Sequence, residues 1–242
     1  MSDPRTGDPV ALHRIVVGAL ATNCWLLHAD GDPRALLVDP GDEPERILRT
    51  VRRLGLDVRA VVLTHAHFDH VLAVPEVGAA LGAPVLAHPG ESRVWTEELA
   101  YLGTHGHWDG GTATADLLRD DPAALRPDPA RPRWDGAATA VADGERLRLG
   151  PLTVTLLHTP GHSPGSLTVE AGSHLLTGDT LFPGGPGLTG PQWPLSDFPA
   201  IMRSVDRLMT RPDTTAVHPG HGEDTTIGAE RPHVDAWRAR GW

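Results

Sequence analysis

His65-Ala66-His67-Phe68-Asp69-His70 places three imidazoles and a carboxylate within six positions, directly after the apolar run Ala60-Val61-Val62-Leu63-Thr64. On an extended segment alternate side chains share a face, so His65 and His67 project together, and Asp69 and His70 follow from the turn beyond. A single histidine is ordinarily a surface or satisfied core residue. Three of them beside an aspartate crowd hydrated, mutually repelling groups unless a cation collects them. The chemistry this stretch suits is metal ligation through neutral imidazole nitrogen and carboxylate oxygen.

Three later positions extend the set. His162 lies in Thr159-Pro160-Gly161-His162-Ser163-Pro164-Gly165-Ser166, Asp179 in Thr177-Gly178-Asp179-Thr180, and His221 in Val217-His218-Pro219-Gly220-His221-Gly222. Each follows an apolar, strand-like run, and an α/β scaffold collects ligand groups along one edge of its sheets. Other histidines read differently. His105 and His107, in Thr104-His105-Gly106-His107-Trp108-Asp109, look like a ligand pair but have no partner set, so substrate contact is the most they suggest. His13, His28, His88, His158, His174, His218 and His233 have no such grouping and read as structural or exposed.

The elements that must position these residues follow from periodicity and punctuation. Strands are expected over 12–17, 23–28, 35–39, 58–63, 84–88, 152–157, 166–170, 174–177 and 214–218. Helices are expected over 43–54, with Asp42 as N-cap, over 70–81, over 198–209 near Asp197, and within 226–240. Strand-helix-strand order at this spacing implies mixed sheets covered by helices, with two similar halves stacked sheet against sheet. We expect one domain over 1–242 with an irregular insertion at about 91–140, helical only at 97–102 and 115–118. A segment of that kind is a lid, a substrate-facing loop, an interface arm or a packed surface excursion.

Composition narrows the function classes. At 242 residues, 40% hydrophobic and 21% charged, the chain is an ordinary globular protein with room for a substantial core. Its formal net charge of −10, with all 21 basic residues arginine, speaks against a nucleic-acid partner, and the absence of lysine excludes a Schiff base. Cys24 is the single cysteine, so no thiolate cage or internal disulfide forms, and its apolar surroundings make it structural. The N-terminus lacks a basic start and apolar block, and no run reaches the roughly 20 apolar residues of a membrane span, so a cytoplasmic location with no membrane partner is expected. Oligomeric state is not legible.

The chain resembles the metallo-β-lactamase-fold superfamily, whose HxHxDH signature is followed in order by a histidine, a bridging aspartate and a final histidine. That resemblance implies an α/β fold, a four-layer αββα sandwich of two mixed β-sheets with helices outside. It implies two divalent metal ions, zinc with iron or manganese as alternatives. His65, His67 and His162 would hold the first, Asp69, His70 and His221 the second, and Asp179 would bridge both. Asp69 would also orient the attacking water or shuttle its proton, a water shared by both ions being the expected nucleophile at neutral pH. Asp39, in Val38-Asp39-Pro40-Gly41, resembles the family's acid that orients ligand histidines, with a turn residue as the alternative.

Thr22-Asn23-Cys24-Trp25, the segment around His162, and Gly220-His221-Gly222-Glu223-Asp224-Thr225-Thr226-Ile227-Gly228-Ala229-Glu230-Arg231 are similar to the glyoxalase II-like branch, thioesterases acting on acyl adducts of small thiols. Only about twenty residues follow His221, so the resemblance is to the compact form without a helical glutathione-binding domain. The lysine-free composition, the glycine-rich loop from Phe182 to Gly190 and the final segment resemble proteins of mycothiol-using, high-GC bacteria, which implies an S-acyl or S-formyl mycothiol substrate. A thioester suits such a site, because a thiolate leaves near neutral pH without a strong general acid. Lactones or other esters fit the same centre. A mononuclear-iron persulfide dioxygenase is the main alternative; the acidic balance disfavours a nuclease, and seven ligand-type residues exceed what a purely structural metal module needs.

Overall fold

The structure, a computed structural model, describes residues 10–108 and 125–241. Two six-stranded mixed sheets form its centre. In the first, β1 (Val10–Val17), β2 (Thr22–Ala29) and β3 (Arg34–Val38) pair antiparallel, and β3, β4 (Asp57–Val62), β5 (Val85–Ala87) and β6 (Thr139–Ala140) pair parallel. In the second, β7 (Glu145–Leu149), β8 (Leu152–His158), β9 (Leu167–Ala171) and β10 (His174–Gly178) form an antiparallel meander; β11 (Leu181–Phe182) and β12 (Gly185–Pro186) make a separate hairpin, and β13 (Ala216–Pro219) joins β10 parallel, with β14 (Thr225–Thr226) antiparallel beyond it.

Side-chain alternation explains the stacking. Leu27, Leu36, Val38 and Val62 face the other sheet and pack with Val154, Leu156, Leu167, Val169 and Leu176. Their neighbours Leu26, Leu37 and Val61 point the opposite way, into a layer with Ile47 and Val51 of helix α1 (Pro44–Leu54) and Val74 and Val77 of α3 (Val74–Leu81). On the far side Leu157, Leu175 and Val217 pack with Ile201, Val205 and Leu208 of the helix Phe198–Leu208 and with Trp237 of the C-terminal helix Val234–Arg240. Three apolar seams between four layers give the expected αββα sandwich. No helix among the described residues is long and apolar enough to cross a membrane.

The structure corrects several expected boundaries. The helix expected over 70–81 is two, α2 (Phe68–Val71) and α3, because Pro75 sits in the first turn of the second and cannot continue a helix from before it. Glu43, not Asp42, caps α1, in a left-handed conformation at φ 50° without a side-chain cap bond. Asp42 instead pairs with Arg131. Helix α4 spans Glu91–His105, well beyond the 97–102 expected, because Val94, Trp95 and Leu102 are drawn into the core. Trp95 lies against Trp108 and Trp134 and donates Nε1–H to the Trp134 carbonyl at 3.0 Å, so this part of the 91–140 segment is packed. The helix expected at 115–118 lies outside the described residues. Pro232 divides the terminal helix into Ile227–Glu230, a 3₁₀ turn Arg231–His233 and Val234–Arg240. Asp197 caps Phe198–Leu208 as expected, accepting from Ala200 N at 2.8 Å.

The inter-sheet seam should dominate stability. Leu156→Ala, at a fully buried position, should lower the unfolding free energy by about 2–5 kcal/mol in chemical denaturation. Leu188→Ala, at a position 46% exposed, should change it by less than about 0.5 kcal/mol.

Candidate metal centre

The strands deliver the candidate ligands to one edge. β4 ends at Val62 ahead of His65, His67, Asp69 and His70; β8 ends at His158 ahead of His162; β10 ends at Gly178 beside Asp179; and β13 ends at Pro219 ahead of His221. β2 runs antiparallel to β3, so its first residue, Thr22, lies at this same edge, and Thr22 pairs with His221 in an isolated bridge.

All seven residues expected as ligands converge. The ligand atoms of His65, His67 and His162 lie within 4.8 Å of one another, and so do those of Asp69, His70 and His221. Asp179 lies between the two groups, with Oδ2 3.7 Å from His162 Nε2 and from His221 Nε2, and Oδ1 3.5 Å from His70 Nε2. Asp69 Oδ2 stands 3.2 Å from His221 Nε2 and 3.5 Å from His70 Nε2. Gly220 makes the approach possible: a Cβ there would fall 2.2 Å from Asp179 Oδ1 and 2.8 Å from His70 Cε1.

The free atoms of this cluster suit a cation. His65 Nε2 and Asp179 Oδ1 are buried with no hydrogen-bond partner among the described residues. His162 Nε2 faces His67 Nδ1 at 2.9 Å, and His70 Nε2 faces His221 Nε2 at 3.3 Å. Lone pairs directed at one another inside a protein need a proton or a metal ion between them. The outer nitrogens are tied down: His70 Nδ1 to Asp39 Oδ2 at 2.9 Å, His162 Nδ1 to the Leu188 carbonyl at 2.9 Å, and His221 Nδ1 to the Leu20 carbonyl at 3.0 Å. Each such bond fixes a tautomer and leaves Nε2 available. Asp39, which also groups with His65 and His70, already accepts from Thr64 N at 2.7 Å and Thr64 Oγ1 at 2.6 Å, so its geometry is that of an orienting acid.

Electrostatics divide the site in two. Burial, reinforced by neighbouring imidazoles, holds His65 far below the usual histidine range and His67 down to about 3, and burial also lowers His162. These three offer neutral nitrogen at neutral pH. Burial opposes charge on His70 and His221 as well, yet the surrounding carboxylates win: Asp69, Asp179 and Asp39 lift His70 to about 10, and Asp179 and Asp69 lift His221. Asp69 pays a burial penalty too, but His70 and His221 hold its carboxyl far below the ordinary range. The carboxylate half of the site thus gathers positive charge.

The cluster forms the floor of a cleft of about 480 Å³. Leu20, Phe68 and Val94 supply apolar wall, and the segment from Phe182 to Leu188 lines the cleft together with Glu97, Glu98 and Arg240. The glycine-rich loop therefore both lines the cleft and, through the Leu188 carbonyl, orients His162. His105 and His107 do not line the cleft; their Nδ1 atoms bond to the carbonyls of Tyr101 and Trp108. Cys24 is fully buried and burial pushes its thiol up, in keeping with a structural role.

Thr22 was not legible as a site residue. Its Oγ1 donates to Asp69 Oδ2 at 2.8 Å, while Asn23 Nδ2 donates to the carbonyls of Pro219 and Gly222 at 3.0 Å each, which ties the His221 turn to β2. The segment containing both stands out in the chain only as a resemblance.

The family model described as Metallo-beta-lactamase superfamily matches residues 17–221. The chain is 34% identical over 225 residues to the Bacillus subtilis protein YqgX, described as a probable metallo-hydrolase, covering 90% of this chain and 93% of that one. It is 31% identical over 220 residues to the hydroxyacylglutathione hydrolase GloC of Haemophilus influenzae, covering 90% and 93%. Among solved structures it superposes on TTHA1623 in a di-iron-bound form with a TM-score of 0.70 at 34% identity, covering 90% of this chain and 96% of that one.

His67→Ala should lower the metal content per chain in elemental analysis, while His107→Ala should leave it unchanged. Equal loss in both variants, or in neither, contradicts this site.

Proposed function

The chain belongs to the metallo-β-lactamase superfamily, and on that footing we propose that it is a dinuclear thioesterase cleaving acyl adducts of a low-molecular-weight thiol. Superfamily membership and its metallo-hydrolase relatives make it a metal-dependent hydrolase. The observation that carries the reading is the pair of three-residue ligand sets joined by Asp179 at the floor of an open cleft. His65, His67 and His162 would hold one divalent ion, Asp69, His70 and His221 the other, and Asp179 would touch both. Zinc suits this imidazole and carboxylate set, and so does iron. When bound, such ions would supply Lewis acidity for a carbonyl oxygen and would lower the pKa of a bound water towards neutrality.

The chain's own residues do the rest. His70 and His221 hold the Asp69 carboxyl ionised and Thr22 Oγ1 holds its Oδ2 in place, so its carboxylate would accept a hydrogen bond from an attacking water and orient it. Asp39 fixes His70 through Nδ1, and the carbonyls of Leu188 and Leu20 do the same for His162 and His221. Leu20, Phe68 and Val94 offer an apolar wall to the acyl group. Among the described residues no lysine, and no histidine outside the ligand sets, lines the cleft as a leaving-group acid, which a thiolate does not require.

The likeness to GloC supports a thioester substrate. Two acidic residues, Glu97 and Glu98, line the cleft beside one arginine, Arg240, a balance that disfavours a carrier with two carboxylates and supports a hydroxyl-rich one such as mycothiol. Fully metallated protein should therefore hydrolyse S-formyl-mycothiol with a kcat/KM roughly tenfold or more above that for S-lactoyl-glutathione, about 1.4 kcal/mol at the transition state. The reverse preference refutes the carrier, and absence of thioester hydrolysis refutes the activity. Oxygen uptake on a persulfide would assign the mononuclear-iron alternative instead.

A further inference from the structure

Glu91, the first residue of α4, is 1% exposed and has no part in the chemistry described so far. A carboxylate so deeply buried needs donors aimed at it. Glu91 has three: Ala66 N–H donates to Oε2 at 2.6 Å, Ser163 Oγ–H to Oε1 at 2.6 Å, and Gly165 N–H to Oε1 at 2.7 Å. Ala66 lies between His65 and His67, and Ser163 follows His162. One side chain thus joins the two loops that carry the three histidines of the first ligand set.

The surroundings are built for this contact. A Cβ on Gly165 would stand 2.7 Å from Glu91 Oε1, and a Cβ on Gly90 would stand 3.0 Å from Gly165 N, so both backbones need glycine to come this close. Ser163 Oγ is also 2.7 Å from Ser166 Oγ, which steadies the hydroxyl that reaches Glu91. Where the strands end, Leu167 N–H donates to the Thr64 carbonyl at 2.8 Å, and Glu91 continues that tie outward to the ligand turns. Burial raises the Glu91 carboxyl to about 7, while Ser163, Ala66 and Gly165 oppose the rise. The second ligand set is anchored by other groups: Asp39 on His70, the Leu20 carbonyl on His221, and Thr22 on Asp69.

We propose that Glu91 is a positioning residue, a carboxylate latch that fixes the separation of the His65/His67 turn from the His162 turn and so sets the affinity of the first metal position selectively. This inference rests on the two-set ligand assignment above. Glu91→Gln keeps the shape of the latch but turns an NH₂ group towards at least one existing N–H or O–H donor, so one arm must open.

Calorimetric titration of metal-free protein with Zn²⁺ tests this. Wild type should take up two ions. Glu91→Gln should bind one with unchanged affinity and the other about ten- to a hundredfold more weakly, the usual effect of losing an outer partner of a metal ligand. The ion retained should be the one held by the second set, so the double variant Glu91→Gln/His221→Ala should bind neither tightly. Ser163→Ala removes one arm of three and should show the same selective weakening to a smaller degree, whether or not Glu91→Gln folds. Wild type binding fewer than two ions refutes the two-set assignment. Two ions in wild type, with both affinities unchanged or equally reduced in Ser163→Ala and in folded Glu91→Gln, refute the latch.

Discussion

Seven ionisable side chains from four separate loops converge in two sets whose ligand atoms lie within 4.8 Å of one another, with Asp179 between the sets, and this crowding is the constraint on which the rest of the structure depends. Desolvation and mutual repulsion make such a cluster unfavourable in isolation. The protein meets the cost unevenly. His65, His67 and His162 stay neutral, while Asp69 and Asp179 pull protons onto His70 and His221. A neutral nitrogen-rich pocket beside a carboxylate-rich one, with Asp179 between them, is an arrangement whose net demand is for positive charge.

The scaffold's contribution is rigidity at that edge. Stacked sheets bring the ends of β4, β8, β10 and β13 together, and the apolar seam between them fixes where each turn begins. The turns themselves carry the ligands, so they need further restraint. Asp39, Glu91, the Leu188 carbonyl, and the Leu20 carbonyl with nearby Thr22 provide it from four different parts of the chain. Orientation of a histidine through its outer nitrogen decides which lone pair faces inward, so these bonds shape the chemistry without touching a reacting atom.

Much of this was legible before any coordinates. The six residues from His65 to His70 announce metal chemistry because no other role tolerates their density, and alternation along β2, β3, β4 and β8 announces two buried faces. What escaped reading depends on contacts distant in sequence. Glu91 looked like the beginning of an irregular segment because α4 gains its stability from the packing of Trp95 on Trp108 and Trp134, which local propensity does not encode. Thr22 is one hydroxyl among many until β2 is placed beside β3. The break between α2 and α3 has one local signal, Pro75 in the first turn of α3, and the apolar periodicity over 70–81 runs across it.

The most direct test of the central claim is anomalous diffraction from crystals of natively purified protein, recorded at the absorption edge of the metal it contains. We expect two peaks roughly 3.5–4 Å apart, the spacing of paired catalytic ions. One should be bounded by His65, His67 and His162, the other by Asp69, His70 and His221, with Asp179 touching both. A single peak, or density that avoids Asp179, would contradict a site in which one carboxylate joins two cations.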